Sequence, residues 1–131
     1  MKITKVEPIM TGWRRMFVKV YTDEGIVGVG EGGNWGFRES MVGAVHRMEE
    51  PLLGQDPLRI EYLNSELYSR FKFGGTSIAG AISAIDIALW DIKGKYFNIP
   101  IYQMLGGAVR NKIRLWGVVF GKTIDESVAC A

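Results

Sequence analysis

Three short stretches of this 131-residue chain carry side chains suited to holding a small anion: Trp13-Arg14-Arg15, Asn34-Trp35-Gly36-Phe37-Arg38 and Lys72-Phe73-Gly74-Gly75. Guanidinium and ammonium groups bring charge and donors, and an amide brings both donor and acceptor. Aromatic rings flanked by glycine cover a bound ligand and exclude water. Trp13, Arg14, Asn34 and Trp35 are therefore the candidate ligand-binding residues. The competing reading is packing, because Trp and Arg also anchor contacts between protein surfaces.

Other patterns point to structure more than to chemistry. Gly28, Gly30 and Gly33 fit the spacing G-x-G-x-x-G. A dinucleotide-binding loop, however, follows a parallel strand and opens a helix directly, whereas these glycines begin inside the second arm of a hairpin. Small residues there are expected where another element approaches the sheet closely. His46, the single histidine, has no serine, cysteine or carboxylate constellation around it in the chain and reads as a surface or partly buried residue. Asp86 and Asp91 fall in an apolar helix, where a carboxylate has to be paired or hydrogen-bonded. Lys95, four residues beyond Asp91, provides a helical ion pair, and Asp86 is expected to tie its helix to a neighbouring segment. Their spacing makes no metal cage.

The elements that position these residues follow from hydrophobic period. Met16, Val18 and Val20 alternate with Phe17, Lys19 and Tyr21, Asp23-Glu24-Gly25 turns the chain, and residues 26–31 return as the second arm of a hairpin. Residues 2–10 add a third strand, at an edge because Pro8 cannot donate to a ladder. The period then lengthens. Met41, Val45, Met48 and Leu52 mark a helix that stops near Pro51; Asp56-Pro57 starts a second, with Ile60, Leu63, Leu67 and Phe71 inward. Ile78, Ile82, Ile85, Leu89 and Ile92 mark a third, expected to be covered on nearly every face. Pro100 begins a short helical turn ending at Gly106-Gly107. Residues 113–120 read as a strand, and Thr123 with Glu126 opens one more helix. The expectation is an α+β fold, a three-stranded antiparallel meander followed by a helical bundle. A lone β/α step follows it and reads as the start of a truncated second domain.

Composition bounds the function. With 47% hydrophobic and 23% charged residues, the chain has the make-up of one soluble domain that can bury roughly two-thirds of its unfolded surface. Sixteen Lys and Arg against fourteen Asp and Glu, both signs scattered, lack the basic stripe that nucleic acid requires. Charges in the first seven residues exclude a signal peptide there, and the apolar run 78–92 is too short to span a bilayer. The lone Cys130 forms no pair within the chain and fits a reducing, cytoplasmic setting.

The stretch Ala81-Ile82-Ser83-Ala84-Ile85-Asp86-Ile87-Ala88-Leu89-Trp90-Asp91-Ile92-Lys93-Gly94-Lys95, continued by Asn98-Ile99-Pro100-Ile101-Tyr102-Gln103-Met104-Leu105-Gly106-Gly107, resembles the signature segment of the mandelate racemase and muconate-lactonizing group of the enolase superfamily. The hairpin with Thr22-Asp23-Glu24-Gly25 and the segment Leu53-Gly54-Gln55-Asp56-Pro57 extend the resemblance over essentially the whole chain, and within the group it is nearest to galactonate-type acid-sugar dehydratases. The resemblance implies an N-terminal capping domain over residues 1–112, and the first β/α unit of a TIM-type barrel over 113–131. It implies abstraction of a proton next to a carboxylate, with magnesium stabilising the resulting charge. The catalytic bases and metal ligands would belong to later barrel strands, so neither catalytic nor metal residues are expected in this chain. On the resemblance, Trp13, Arg14, Asn34 and Trp35 would close over a small carboxylate substrate, a sugar acid, in a homo-oligomer. The alternatives are a racemase, epimerase or cycloisomerase of the same group, or a freestanding non-catalytic α+β binding module.

Overall fold

The computed structural model describes residues 1–12, 15–33, 36–115 and 123–129. Three strands, β1 (Ile3–Thr11), β2 (Arg15–Thr22) and β3 (Val27–Gly32), form an antiparallel sheet in the order β1-β2-β3. The alternation in β2 sorts as its sequence dictates: Met16, Val18 and Val20 are fully buried, and Phe17, Lys19 and Tyr21 lie on the other face. The β2–β3 turn closes through Thr22 N–H to the Ile26 carbonyl at 3.2 Å, with Gly25 at φ +79, a backbone angle that glycine adopts without a Cβ penalty. Pro8 sits on edge strand β1, opposite Val18.

Helices α1 (Arg38–Leu52) and α3 (Gly75–Phe97) cover the inner face of the sheet, and α2 (Ile60–Arg70) packs against both helices. A short α4 (Ile101–Met104) and a terminal α5 (Ile124–Ala129) follow. The residues that set the helical period form one core with the sheet: Met41, Val45, Met48 and Leu52 from α1, Leu63 and Leu67 from α2, Ile82, Ile85, Leu89 and Ile92 from α3. Burying each such side chain contributes about 1.5–3 kcal/mol.

The close approach inferred from the glycines in β3 is the main packing device. A Cβ on Gly28 would lie 2.0 Å from the Ala88 carbonyl oxygen, and one on Gly30 would lie 2.0 Å from that of Ala84. The backbone of α3 therefore rests almost directly on β3, opposed by Ala84 and Ala88.

Both outer edges of the sheet are closed by carboxylates from the helices. Glu49 accepts from the Val6 N–H at 3.0 Å, and Asp91 accepts from the Val29 N–H at 2.9 Å. Lys95 donates to Asp91 at 2.6 Å and to the Val27 carbonyl at 2.7 Å, so the expected ion pair also caps an edge strand. Asp86 accepts from Asn64 Nδ2 at 2.6 Å, tying α3 to α2.

Several boundaries differ from the sequence reading. Asp56 accepts from the Leu58 N–H at 3.0 Å and builds a turn, while α2 itself begins at Ile60. A carboxylate that bonds two residues ahead offers the backbone an alternative to a helical start. Helix α3 extends beyond the run 78–92 at both ends, and by length and composition it is long enough to cross a membrane. Its buried stripe is nonetheless spent on the sheet and on α1 and α2. Nor is it covered on nearly every face: Ala79, Ser83 and Ile87 line an open stripe, because α1 and α2 flank the helix without closing over its back. Asn98 ends it in the left-handed region at φ 52, with the Ile99 N–H returning to the Gly94 carbonyl at 3.0 Å.

No barrel unit is evident among the described residues. Ile113, Arg114 and Leu115 run without strand pairing, and the rest of the expected strand, 116–120, lies outside the described residues. The following helix start is present, with Thr123 Oγ1 accepting from the Glu126 N–H at 3.2 Å.

Candidate functional site

Antiparallel connectivity gathers the loops. Thr11 pairs with Arg15 and Met16 pairs with Gly32, so the end of β1, the start of β2 and the end of β3 share one end of the sheet. The β1–β2 loop and the β3–α1 loop therefore leave side by side. The α2–α3 loop joins them. Ser40, in the first turn of α1, lies 2.6 Å from Ser77, in the first turn of α3. Ser40 gives its hydroxyl hydrogen to the Phe37 carbonyl at 2.6 Å, so Ser77 is the donor in the serine pair. The Gly80 Cα faces the same place, since a Cβ there would sit 3.4 Å from the Gly33 carbonyl oxygen. All three loops singled out for their side chains thus meet at one end of the domain.

Trp13, Arg14, Asn34 and Trp35 lie outside the described residues; their flanks, Gly12, Arg15, Gly33 and Gly36, lie at this end. At this end Phe37 is 66% exposed and Phe73 is 94% exposed, with Lys72 Nζ 5.9 Å from the centre of the Phe73 ring. Charge is mixed. Arg15 approaches Glu31 at 3.9 Å, and Arg38 Nε donates to Glu39 at 2.9 Å, holding that carboxyl below its ordinary range. Arg38 also donates through Nη1 to the Gly12 carbonyl, linking two of the loops directly.

Arg38 ends one of the stretches picked out from sequence, though it was not among the four candidate binding residues, and Ser40 and Ser77 were not picked out. One signal was present: a cation in the first turn of a helix opposes the backbone dipole, so Arg38 stands where an acidic residue is preferred. The remaining candidates behave as structure. His46 is exposed on α1, and Gly28 and Gly30 face the backbone of α3. Cys130 lies outside the described residues.

Residues 9–106 match the N-terminal domain of the mandelate racemase and muconate lactonizing enzymes. The chain belongs to that family. The D-galactonate dehydratase of Pectobacterium atrosepticum is 46% identical over 130 residues, which cover 98% of this chain and 34% of the relative. The chain thus spans about a third of the length of the curated relatives it matches. Among solved structures, an enolase from Agrobacterium radiobacter with sodium and L-malate bound superposes with a TM-score of 0.76 at 39% identity, covering 84% of this chain and 29% of that one. A protein from Burkholderia xenovorans with magnesium and fumarate bound, assigned as an L-alanine-DL-glutamate epimerase, superposes at 0.75 with 34% identity, over 84% and 28% of the two chains.

Among the described residues, no three His, Cys, Asp or Glu side chains come together. The carboxylates nearest the core are already engaged, Glu49 with Val6, Asp86 with Asn64 and Asp91 with Val29 and Lys95. These residues do not fit a cage for a hard cation, which needs several free oxygens around one point.

Proposed function

We propose that this chain is the capping and substrate-specificity domain, residues 1–112, of a magnesium-dependent acid-sugar dehydratase, with residues 113–131 beginning its barrel. The observation that carries the reading is the 46% identity to a D-galactonate dehydratase over 98% of the chain. The convergence of three loops at one end supports it, because a lid must present several side chains to one ligand.

In this reading the lid works by charge, hydrogen bonding and exclusion of water. Arg14 pairs with a carboxylate or hydroxyl of a sugar acid, Asn34 hydrogen-bonds a hydroxyl, and Trp13 and Trp35 form the apolar cover. A proton next to a carboxylate is only weakly acidic, so its removal requires stabilisation of the charge that develops on the carboxylate oxygens. Magnesium would supply that stabilisation from residues outside this chain, and the bases would likewise lie elsewhere. The 131-residue chain alone is then catalytically silent, and the working protein is a cytoplasmic homo-oligomer. A racemase or epimerase of the same group is the second reading, favoured by the 34% identity to the protein assigned as an epimerase.

The test compares the complete gene product with the 131-residue chain on a panel of sugar acids, with and without magnesium. Dehydration is expected of the complete protein alone, and only with the metal. Arg14→Ala should raise KM about ten-fold, as the loss of one charged hydrogen bond implies. Turnover by the short chain, or a complete protein inert to the whole panel, would falsify the reading; inversion without loss of water would favour the epimerase.

A further inference from the structure

We propose that the open back of α3 is the surface on which the barrel part of the same protein seats. The inference rests on the capping role proposed above. Ser83, Ile87, Trp90, Gly94 and Phe97 recur at alternating steps of four and three, which sets them in one line along the helix. Ala88 and Ile92 face β3 from the opposite side. On the line itself Ser83, Ile87 and Phe97 are exposed, and Trp90 is only partly buried, with Lys93 Nζ 4.8 Å from its ring centre. A helix that is apolar on both sides calls for cover on both, and the sheet covers one.

Two observations name the cover. The chain leaves α3 across this line: a Cβ on Gly94 would lie 3.1 Å from the Ile99 carbonyl oxygen and 3.2 Å from Ile101 Cγ1, so the segment after the helix turns back onto the same side. Asn98, left-handed at φ 52, makes that reversal. From there Leu105, Val109, Ile113 and Leu115 run on without cover, which brings the following chain to the open line with apolar surface of its own to bury. The curated relatives, moreover, are about three times as long as this chain, so they hold ample further structure to seat there. A second copy fits less well. A twofold contact sets Lys93 against Lys93 when the two helices run parallel, and toward Lys72 when they run antiparallel, like charges in either case.

The test uses the complete gene product carrying one new cysteine at a time, Ser83→Cys on the open line or Gly43→Cys on the exposed side of α1, with maleimide adducts mapped by mass. Ser83→Cys is expected to react at least about 100-fold more slowly than Gly43→Cys, since it reacts only when the seat opens. Independently, a photoreactive benzoylphenylalanine in place of Ile87, in a mixture of light- and heavy-nitrogen protein, should crosslink to peptides beyond residue 131 of its own isotope. Equal reactivity of the two cysteines overturns the seat. Crosslinks that join light to heavy chains overturn it too, because they make the occupant a second copy. An enzyme active on sugar acids whose Ser83→Cys stays open keeps the capping role and loses the seat. A product inert to every sugar acid but shielded at residue 83 by its own chain keeps the seat and loses the dehydratase reading.

Discussion

Glu7 lies on the open face of the sheet and accepts from Lys5 Nζ and from the Tyr21 hydroxyl, each at 2.6 Å. The hydrogen bond from Lys5, then that from Tyr21, holds the Glu7 carboxyl below its ordinary value of 4.5. The bond to Glu7 raises Lys5 above 10.5 and Tyr21 above 10.0. A carboxyl depressed by folding contributes stability above its unfolded pKa and loses it as pH falls through the folded one. The raised groups contribute below their unfolded pKa and lose it as pH rises through the folded one. The cluster is therefore complete between 4.5 and 10.0. Thermal melts of wild type and Glu7→Gln should differ most near neutrality and converge at about pH 2. A difference that stays constant across that range would show that Glu7 acts through something other than its charge. Asp91 is a more covered case: Asp91→Ala leaves the Val29 N–H without its acceptor and should cost about 1 kcal/mol in urea denaturation. Restoration by Asp91→Asn, which keeps an acceptor but not the charge, separates the hydrogen bond from the ion pair with Lys95.

Gly30, packed between β3 and α3, and Gly43, on the open side of α1, invite opposite predictions. Gly30→Ala would drive its Cβ to 2.0 Å from the Ala84 carbonyl, and neither backbone can yield without moving the helix. A loss of about 2–3 kcal/mol is expected, typical of an overfilled core or worse. Gly43 lies on the exposed side of α1 with nothing near its missing Cβ, so Gly43→Ala should stabilise by about 0.5–1 kcal/mol through helix propensity. Equal effects of the two substitutions in denaturant titrations would contradict the close packing. That something approaches β3 was legible from its glycines; that the partner is the Ala84–Ala88 turn of α3 was not, because spacing within one element does not name its neighbour. The start of α2 was misread for a related reason. Asp56-Pro57 is compatible with either a cap or a turn, and the bond to Leu58 chose the turn.

At the scale of the whole chain, the region beyond α4 lies open. Val109 is 89% exposed and Leu115 is 90% exposed, and Leu105, Ile113, Ile124 and Val128 are exposed with them. Apolar side chains spread along one segment seek cover, so the 131-residue chain should self-associate in sedimentation velocity, increasingly with concentration. A single monomeric boundary at every concentration would show that this surface is tolerated by water.

The order of local periods, two in the first third and near 3.6 through the next two, is a property of the covalent chain, and it was enough to specify a meander followed by helices and to name most of the core. Alternation and helical spacing report which side chains must leave water together, wherever their partners come from. The sequence also pointed to three loops with ligand-like chemistry. Their meeting at one end of the sheet was decided only in three dimensions, through the pairing of Thr11 with Arg15 and Met16 with Gly32 and the contact of Ser40 with Ser77. The hydrogen bond from Arg38 to the Gly12 carbonyl was decided in the same way. A hydrogen bond between residues 26 positions apart depends on where folding brings the Gly12 carbonyl, and no local pattern in the chain encodes that direction.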